Sequence, residues 1–459
     1  MRAATELKRW GEALKVYRRP SVVAMLFLGF SAGLPFMLVF ATLTAWLREF
    51  DVSRTAIGFF SWVGITYSIK FIWSPVVDRL PLPGLTRWLG RRRAWILLGQ
   101  IGIAVGLAGM AFTDPQAALW PVALCALLVA FSSATQDVAI DAFRIESDID
   151  RYQGALAAAY QMGYRLAILV SYTGALYLAE LLSWRLAYLT MAALVGVGMI
   201  TVMLRPEPVP GVDRTSARRE PRAVAFARRH PGMPGWMRHT GAWLIGAVVC
   251  PVTDFFGRFG RFALIMLGLV ASFRITDIAM ASMANPLYID LGYSKAVIAN
   301  ISGAYGLAMT IIGALLGGAL TARFGLLRPL LAGAILAAGT NLLFAWMAGQ
   351  GGATWALVLT ISADNLSGGI AGSVFIAWLS SLTSTTYTAT QYALFSSLMT
   401  LPGKFLSGFG GLVVDTLNYP VFFAISAAMG LPAIFLIMVI MRHASRRETV
   451  DAGPPRDGQ

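Results

Sequence analysis

Apolar runs of about 20 residues recur along this chain, and each is long enough to cross about 30 Å of hydrocarbon as a helix. The first, "PSVVAMLFLGFSAGLPFMLVF" (20–40), and the last, "YPVFFAISAAMGLPAIFLIMVIM" (419–441), carry no charge at all. Only 13% of all residues are charged, whereas 57% are hydrophobic. The alternating ten-residue segments of a membrane β-barrel are absent. The sequence therefore predicts a polytopic, all-α membrane protein.

Hydropathy predicts twelve spans, at 21–46, 54–77, 94–113, 119–143, 152–179, 184–204, 263–289, 295–322, 328–349, 354–380, 387–412 and 419–441. The segment "GAWLIGAVVCPVTDFFGRFG" (241–260) is left out because its apolar part is too short to span. We expect it to form an interfacial helix.

Basic residues cluster in alternate connecting segments: before the first span, between the second and third, after the sixth, and at the carboxyl end. The intervening loops hold few bases, namely Arg48, Arg54, Arg185 and Lys295. This asymmetry predicts that both termini lie in the cytoplasm. The net charge of +14 is thus explained by orientation in a lipid bilayer, and no nucleic-acid partner is expected.

The two halves of the chain resemble each other on either side of an arginine-rich segment. "DVSRTAIGFFSWVGITY" (51–67) aligns with "GYSKAVIANISGAYGLA" (292–308), so that a serine, a base and an isoleucine recur in register. Two parallel six-helix repeats describe the major facilitator fold, whose substrate site lies between the halves. We expect the protein to function as a monomer with bundles at 1–204 and 263–441, a basic linker with the interfacial helix at 205–262, and a cytoplasmic tail at 442–459.

The loop after the second span contains Asp78-Arg79 and then Gly90-Arg91-Arg92, which resembles the loop signature of the major facilitator superfamily. Polar residues at the inner end of the fourth span, in "FSSATQDVAIDAFRIES" (131–147), share one helical face. We expect Asp141, Arg144 and Glu146 at this helix end to pair with the loop arginines and to form an inner gate. The predicted gate residues are Asp78, Arg79, Arg91, Arg92, Asp141 and Arg144.

Five ionisable residues lie near the midplane when depth is counted at about 1.5 Å per residue: Lys70, Arg165, Arg274, Asp277 and Asp364. Each costs roughly 2.5–3.5 kcal/mol at a helix centre, so such side chains usually face a cavity or each other. Arg274 and Asp277 are three residues apart and are able to neutralise one another. Lys70 has two open roles, a pair with a carboxylate of another helix or a contact with substrate.

The balance of deep charges favours an anionic substrate. Three cations stand against two carboxylates at mid-depth, with Lys404 and Asp137 further out, and surplus positive potential attracts anions. Gln136, near the inner end of the fourth span, is also expected to meet substrate. Tyr160, Tyr164 and Arg165 form a polar stripe suited to sugar and carboxylate recognition, although tyrosines also serve in helix packing.

The pattern excludes a histidine proton relay inside the membrane and a histidine-ligated metal site, and it argues against an enzymatic function. All three histidines fall in polar segments, so the expected proton carriers are Asp137, Asp277 and Asp364. The chain has no P-loop, no H-E-x-x-H and no Gly-x-Ser-x-Gly elbow. We therefore expect a secondary transporter with no catalytic residue, no cofactor and no metal.

Several stretches are similar to a more specific family. "FLGFSAGLPFMLVFATLTAWL", "IGFFSWVGITYSIKFIWSPVVDR", "SSATQDVAIDAFRIE", "FRITDIAMASMANPLYIDLGYS" and "DNLSGGIAGSVFIAWLSSL" resemble the AmpG family of muropeptide permeases. They are spread over both halves. The family pattern maps onto Gly33, the stretch 134–137, Asp277 and the turn 365–369.

The resemblance implies a proton-driven importer in the bacterial inner membrane. Its family substrates are disaccharides of N-acetylglucosamine and anhydro-N-acetylmuramic acid, mostly with a stem peptide, whose carboxylates agree with the cationic surplus. Uptake then feeds peptidoglycan recycling and, in organisms with an inducible β-lactamase, its induction. The expected substrate-binding residues are Gln136, Tyr160, Tyr164, Arg165, Lys70, Arg274 and Asn365.

Two alternatives remain open at this point. A related branch of transporters carries acetyl-coenzyme A, which is also a large organic anion. A protein of another class, a membrane sensor, would bind muropeptide without moving it.

Overall fold

The computed structural model describes residues 18–147, 153–208, 221–382 and 388–451. Over these ranges the chain is helical and contains no β-strand. The helices that organise the fold are, in chain order, α1 (Pro20–Glu49), α2 (54–79), α3 (Arg91–Ala111), α4 (Leu119–Glu146), α5 (153–181), α6 (Trp184–Leu204), α7 (Pro221–Arg229), α8 (235–259), α9 (Phe262–Asp290), α10 (Lys295–Phe324), α11 (Leu327–Met347), α12 (Thr354–Leu382), α13 (388–417) and α14 (419–451).

In the described part of the chain, ten helices are long and apolar enough to cross a membrane by length and composition. Of the twelve predicted spans, α2 and α5 do not meet this criterion. Short 3-10 turns at Ser61–Gly64 and Lys70–Ile72 interrupt α2, and α5 carries the polar stretch 160–165. Both nevertheless belong to a bundle, because α5 packs along α1 and α2 packs against α4. The twelve helices form two six-helix bundles, α1–α6 and α9–α14, as predicted.

Polar caps begin four helices at one face of the molecule. The side chains of Ser53, Ser183, Ser294 and Asn418 each accept a hydrogen bond from the backbone N–H three residues ahead. Such a cap satisfies one of the donors that a helix start leaves without a partner. The serine that recurs in the two halves is therefore the cap of α2 and α10. We call this face the loop face, and the face that carries residue 20, the linker helices and residue 451 the linker face.

The linker is docked against the bundle that follows it. Phe255 of α8 lies in the core of the carboxy-terminal bundle, and Arg258 donates to the carbonyl oxygen of Leu382 at 2.9 Å. The helix α8 covers the segment predicted to be interfacial, and it is not among the helices apolar enough to span.

The hydrophobic cores differ between the two faces. At the loop face one continuous core contains Trp46 of the amino-terminal bundle together with Leu287 and Phe423 of the carboxy-terminal bundle. Toward the linker face each bundle has its own core, around Phe143 in one and Phe375 in the other. The bundles are therefore closed against each other at the loop face and separate in their cores toward the linker face.

Candidate functional site

The loop face is closed by ion pairs that join the two bundles. Arg54, at the start of α2, lies 2.7 Å from Asp290 of α9 and 3.3 Å from Asp415 of α13. Arg48 of α1 also pairs with Asp290, which accepts a further hydrogen bond of 2.6 Å from the Tyr419 hydroxyl. These two bases of the amino-terminal bundle thus face carboxylates of the carboxy-terminal bundle.

A second set of ion pairs has the opposite arrangement. Lys295, at the start of α10, lies 2.6 Å from Glu49 of α1 and 3.6 Å from Glu180 of α5. Its side chain is only 13% exposed. Arg54 and Lys295 each follow the capping serine of their repeat. The base that recurs in register therefore reaches across to the other bundle in both halves.

Close backbone contact and buried hydrogen bonds complete the closure. A Cβ atom at Gly411 of α13 would lie 1.5 Å from the carbonyl oxygen of Arg54, so only glycine fits there. On the other side of the interface, the Tyr172 hydroxyl of α5 donates to Asn285 Oδ1 of α9 at 2.6 Å. The two bundles therefore meet without an open passage at these contacts.

A cavity of about 340 Å³ lies between the bundles, with Tyr172 and Asn285 in its wall. The wall comes from α1 and α5 on one side and from α9 to α12 on the other. Asp364 and Asn365 of α12 line it, and Thr310 donates to Asn365 Oδ1 at 2.9 Å. Two residues predicted from the sequence thus lie in the wall of one cavity between the bundles.

The carboxy-terminal bundle brings three predicted ionisable residues near each other. Arg274 Nε lies 3.1 Å from Asp277, as the three-residue spacing predicts. Asp364 lies within electrostatic range of Asp277 and accepts a hydrogen bond of 3.4 Å from the Thr340 hydroxyl. Among the described residues no cation pairs with Asp364. No group of three His, Cys, Asp or Glu in this part of the chain is placed to hold a metal ion.

The amino-terminal bundle pairs its deep charges between helices. Lys70 of α2 lies 3.6 Å from Asp137 of α4, and their side chains are 34% and 16% exposed. Lys70 therefore pairs with a carboxylate of another helix, one of its two predicted roles. The rings of Tyr160 and Tyr164 are 6.3 Å apart, and both lie within electrostatic range of Asp137.

Two predicted substrate ligands are placed differently. Gln136 is completely buried, accepts a hydrogen bond from the Ser31 hydroxyl and donates to the Ser31 carbonyl oxygen, both at 3.1 Å. It ties α4 to α1, and it lies about 100° around the helix from Asp137. Arg165 is exposed and, in the described ranges, forms no ion pair. Arg165 directly follows Tyr164, so its side chain is turned about 100° around α5 from that of Tyr164. The predicted stripe of Tyr160, Tyr164 and Arg165 therefore does not lie on a single face.

Charges predicted to form an inner gate join parts of one bundle. Arg92 is fully buried and lies 3.2 Å from Glu146 of α4, which confirms a pair between the loop arginines and this helix end. Asp141 pairs with Arg144 on its own helix at 3.6 Å, and among the described contacts it has no pair with a loop arginine. Asp141 and Arg144 pair because residues three apart on one helix have neighbouring side chains. The ion pairs described at this end thus stabilise the amino-terminal bundle.

Three further gate candidates remain predictions. Arg91 is the first residue of α3 and is partly buried. Asp78 and Arg79 end α2, and their side chains lie outside those that the structure describes.

Sequence reasoning missed the loop-face ion pairs and the position of Lys404. The sequence did contain a signal for the loop-face ion pairs: a serine and a base recur in the two repeats, and acids lie at the facing helix ends. Lys404 of α13 donates to the Ser68 hydroxyl of α2 at 3.0 Å and so lies between the bundles. Spacing along one helix gives no signal for such a contact.

Comparison with known sequences identifies relatives along most of the chain. Residues 25–270 and 267–457 match the sequence profile of the Major Facilitator Superfamily. The chain is 33% identical over 428 residues to the anhydromuropeptide permease of Escherichia coli (strain K12), a match that covers 93% of this chain and 81% of the permease. It is 30% identical over 428 residues to a protein of Rickettsia conorii assigned as transporter AmpG 4, covering 93% and 98%.

Solved structures share the fold at low sequence identity. A POT family transporter in complex with 5-aminolevulinic acid superposes with a TM-score of 0.64 at 14% identity, over 93% of this chain and 96% of that one. A D-xylose-proton symporter gives a TM-score of 0.63 at 13% identity, over 92% and 97%. At these identities the likeness establishes the fold alone.

Proposed function

Because the chain belongs to the major facilitator superfamily and, within it, to the AmpG family of transporters, we propose that it imports anhydro-muropeptides in symport with protons. The membrane is the bacterial inner membrane, and the linker face is cytoplasmic because the basic clusters lie there. The substrates are disaccharides of N-acetylglucosamine and anhydro-N-acetylmuramic acid, with or without a stem peptide, taken up for peptidoglycan recycling. The choice of substrate rests on the Escherichia coli relative.

The observation that carries the proposed mechanism is the reciprocal closure of the loop face above a cavity between the bundles. In alternating access the two bundles rock about a fixed site. Opening toward the periplasm requires Arg54 and Lys295 to leave their carboxylates together, so the ion pairs hold the face shut until substrate is released on the other side.

Asp364 is the carboxylate to which we assign the transported proton. Asp137 and Asp277 each face a cation, whereas no described cation pairs with Asp364. An ionised carboxylate without a cation beside it is costly at this depth. Asp364 is therefore suited to bind the transported proton during its passage. We assign supporting roles to Asp137 and Asp277. Each releases its paired cation, Lys70 or Arg274, to the substrate when the substrate binds.

Uptake of a radiolabelled muropeptide into right-side-out membrane vesicles tests the proposal. We expect accumulation against the concentration gradient, and collapse of the proton gradient should abolish it. Asp364→Asn should reduce accumulation at least about tenfold while leaving exchange of internal for external substrate intact, because exchange needs no net proton movement. Asp114→Asn removes an exposed carboxylate from the loop before α4 and should change neither.

The alternatives give different results in the same experiment. Binding to the vesicles without accumulation would identify a sensor and contradict transport. Accumulation of acetyl-coenzyme A in place of muropeptide would favour the organic-anion carrier. An Asp364→Asn variant that still accumulates muropeptide would overturn the assignment of the proton.

A further inference from the structure

A cluster of polar side chains joins α2 and α13 at mid-depth, outside the cavity described above. Lys404 Nζ donates to Ser68 Oγ at 3.0 Å, and Ser68 also contacts the Thr400 hydroxyl at 2.8 Å. The Lys404 ammonium group lies 5.8 Å from the centre of the Tyr67 ring, within cation–π range. Lys404 comes from the carboxy-terminal bundle and its partners Ser68 and Tyr67 from the amino-terminal one, so the cluster spans the divide.

Positive charge exceeds negative charge in this cluster. No carboxylate pairs with Lys404 among the described residues, and its partners are a hydroxyl and an aromatic ring. Lys70 lies within electrostatic range of Lys404, and its described ion pair is with Asp137 at 3.6 Å. The cluster therefore contains two ammonium groups and one carboxylate, which pairs with Lys70 alone. Ionisable groups at this depth are expensive and are generally retained for function.

A buried carboxylate oxygen beside these lysines provides a second, independent observation. The Ser133 side chain is completely buried, and the buried Tyr67 hydroxyl lies within hydrogen-bonding range of it. Asp137 Oδ1 is also buried, and no hydrogen bond to it is described. Ser133 and Asp137 lie four residues apart on α4, and Tyr67 and Lys70 lie three apart on α2, so these groups share facing helix sides. Buried polar atoms are generally satisfied by protein, water, an ion or a ligand, so this oxygen has room for a further donor.

We propose that Lys404 and Lys70 together bind one carboxylate group of the substrate, with the Tyr67 hydroxyl as a third donor. The inference rests on the proposed function and adds a specific anion site to it. A carboxylate has two oxygens that accept several hydrogen bonds, so it is able to bridge two ammonium groups. Because the lysines belong to different bundles, a carboxylate held by both would link the bundles at mid-depth. Asp137 neutralises Lys70 in this structure, and the substrate carboxylate replaces it there.

Binding measurements with two matched ligands test the site. The protein is purified into lipid nanodiscs, and the ligands are the disaccharide with a stem peptide bearing free carboxylates and the same glycopeptide with every carboxyl converted to carboxamide. For the unaltered protein we expect the carboxylate form to bind at least about tenfold more tightly, the difference that a charged hydrogen bond supplies. Lys404→Gln should remove most of this preference and leave the carboxamide form unaffected, whereas Lys404→Arg should retain it.

A matched control separates the site from overall charge. Arg323→Gln removes an exposed cation from the end of α10 and should preserve the preference for the carboxylate form. Monodisperse elution and an unchanged melting temperature establish that each variant is folded. Equal weakening of both ligands by Lys404→Gln, or no weakening of either, would overturn the site while leaving muropeptide binding in place. Absence of binding of either ligand by the unaltered protein would overturn both proposals, and preferential displacement by the phosphates of acetyl-coenzyme A would assign the lysines to a phosphate group.

Discussion

The loop face and the linker face of this molecule place their charges in contrasting ways. At the loop face Arg54 and Lys295 each pair with acids of the other bundle, above a core to which both bundles contribute. At the linker face the pair of Arg92 and Glu146 lies inside one bundle, and the cores are separate. Charges that cross the divide affect the balance between conformations, whereas charges inside a bundle affect its stability.

At the loop face each bundle supplies a base to acids of the other, and this arrangement follows from the sequence repeat. A base placed after the capping serine in both halves meets acids of the partner half, because the halves are related by an approximate two-fold axis. Among the described contacts of the linker face, no ion pair joins the two bundles. The repeat thus places both sets of ion pairs at the loop face, where α2 and α10 begin. We call the ion pairs of Arg54 and Lys295 the latch.

The largest expected effect is on the stability of the linker-face end of the amino-terminal bundle. Arg92→Met removes the buried guanidinium that pairs with Glu146, which is 4% exposed, and should lower the free energy of unfolding by about 3–5 kcal/mol. Denaturant unfolding in detergent measures this change. The double variant Arg92→Met/Glu146→Leu should recover most of it, since a buried apolar pair replaces the ion pair. An unchanged single variant would contradict an intrabundle role.

A smaller effect is expected on the conformational balance when the loop face is prevented from closing. Gly411→Ala places a Cβ where the Arg54 carbonyl oxygen lies, and such overpacking costs about 1–3 kcal/mol. A cysteine at position 284, in the cavity wall, should then react faster with a hydrophilic maleimide added on the side of the membrane where the loop face lies, in protein lacking Cys125 and Cys250.

Gly339→Ala is the matched control, because a Cβ there meets nothing within 4 Å. It should leave labelling unchanged. Equal labelling of the two variants would show that the α2–α13 contact does not determine closure.

The smallest effects come from single members of the latch. Arg54→Gln should weaken closure by about 1–2 kcal/mol, because Arg54 contacts two acids and Asp290 is only 14% exposed. Lys295→Gln should weaken it by about 0.5–1 kcal/mol, because water screens Glu49 and Glu180, which are about a third exposed. The same maleimide labelling reports both. A larger effect for Lys295→Gln would reverse this ranking and place the main latch on the α10 side.

The helices were largely predictable from the sequence. Predicted ends agree with the observed ones to within a turn for most helices, as in α6 at Trp184–Leu204, because apolar length and capping residues are local properties. The exceptions are α13, which ends at residue 417 against a predicted 412, and α14, where the helix continues past the apolar stretch to residue 451. Polar helical residues beyond the hydrocarbon give no hydropathy signal.

The site was predictable only in part. Arg274 and Asp277 pair as expected, since i,i+3 neighbours on one helix always lie close. Gln136 was expected near substrate but hydrogen-bonds Ser31, because a shift of one residue turns a side chain about 100° around its helix. Depth is readable from a sequence, but the direction in which a deep side chain points depends on how its helix is rotated against its neighbours.

The sequence by itself determined the helical class, the two six-helix repeats and the list of costly deep charges, because each of these follows from residue type and spacing along one chain. Only the tertiary structure decided which charges meet, as with Lys404 and Ser68, which are 336 residues apart. Hydrogen bonds and ion pairs need their atoms within about 3–4 Å of each other, and helix packing and rotation set those distances.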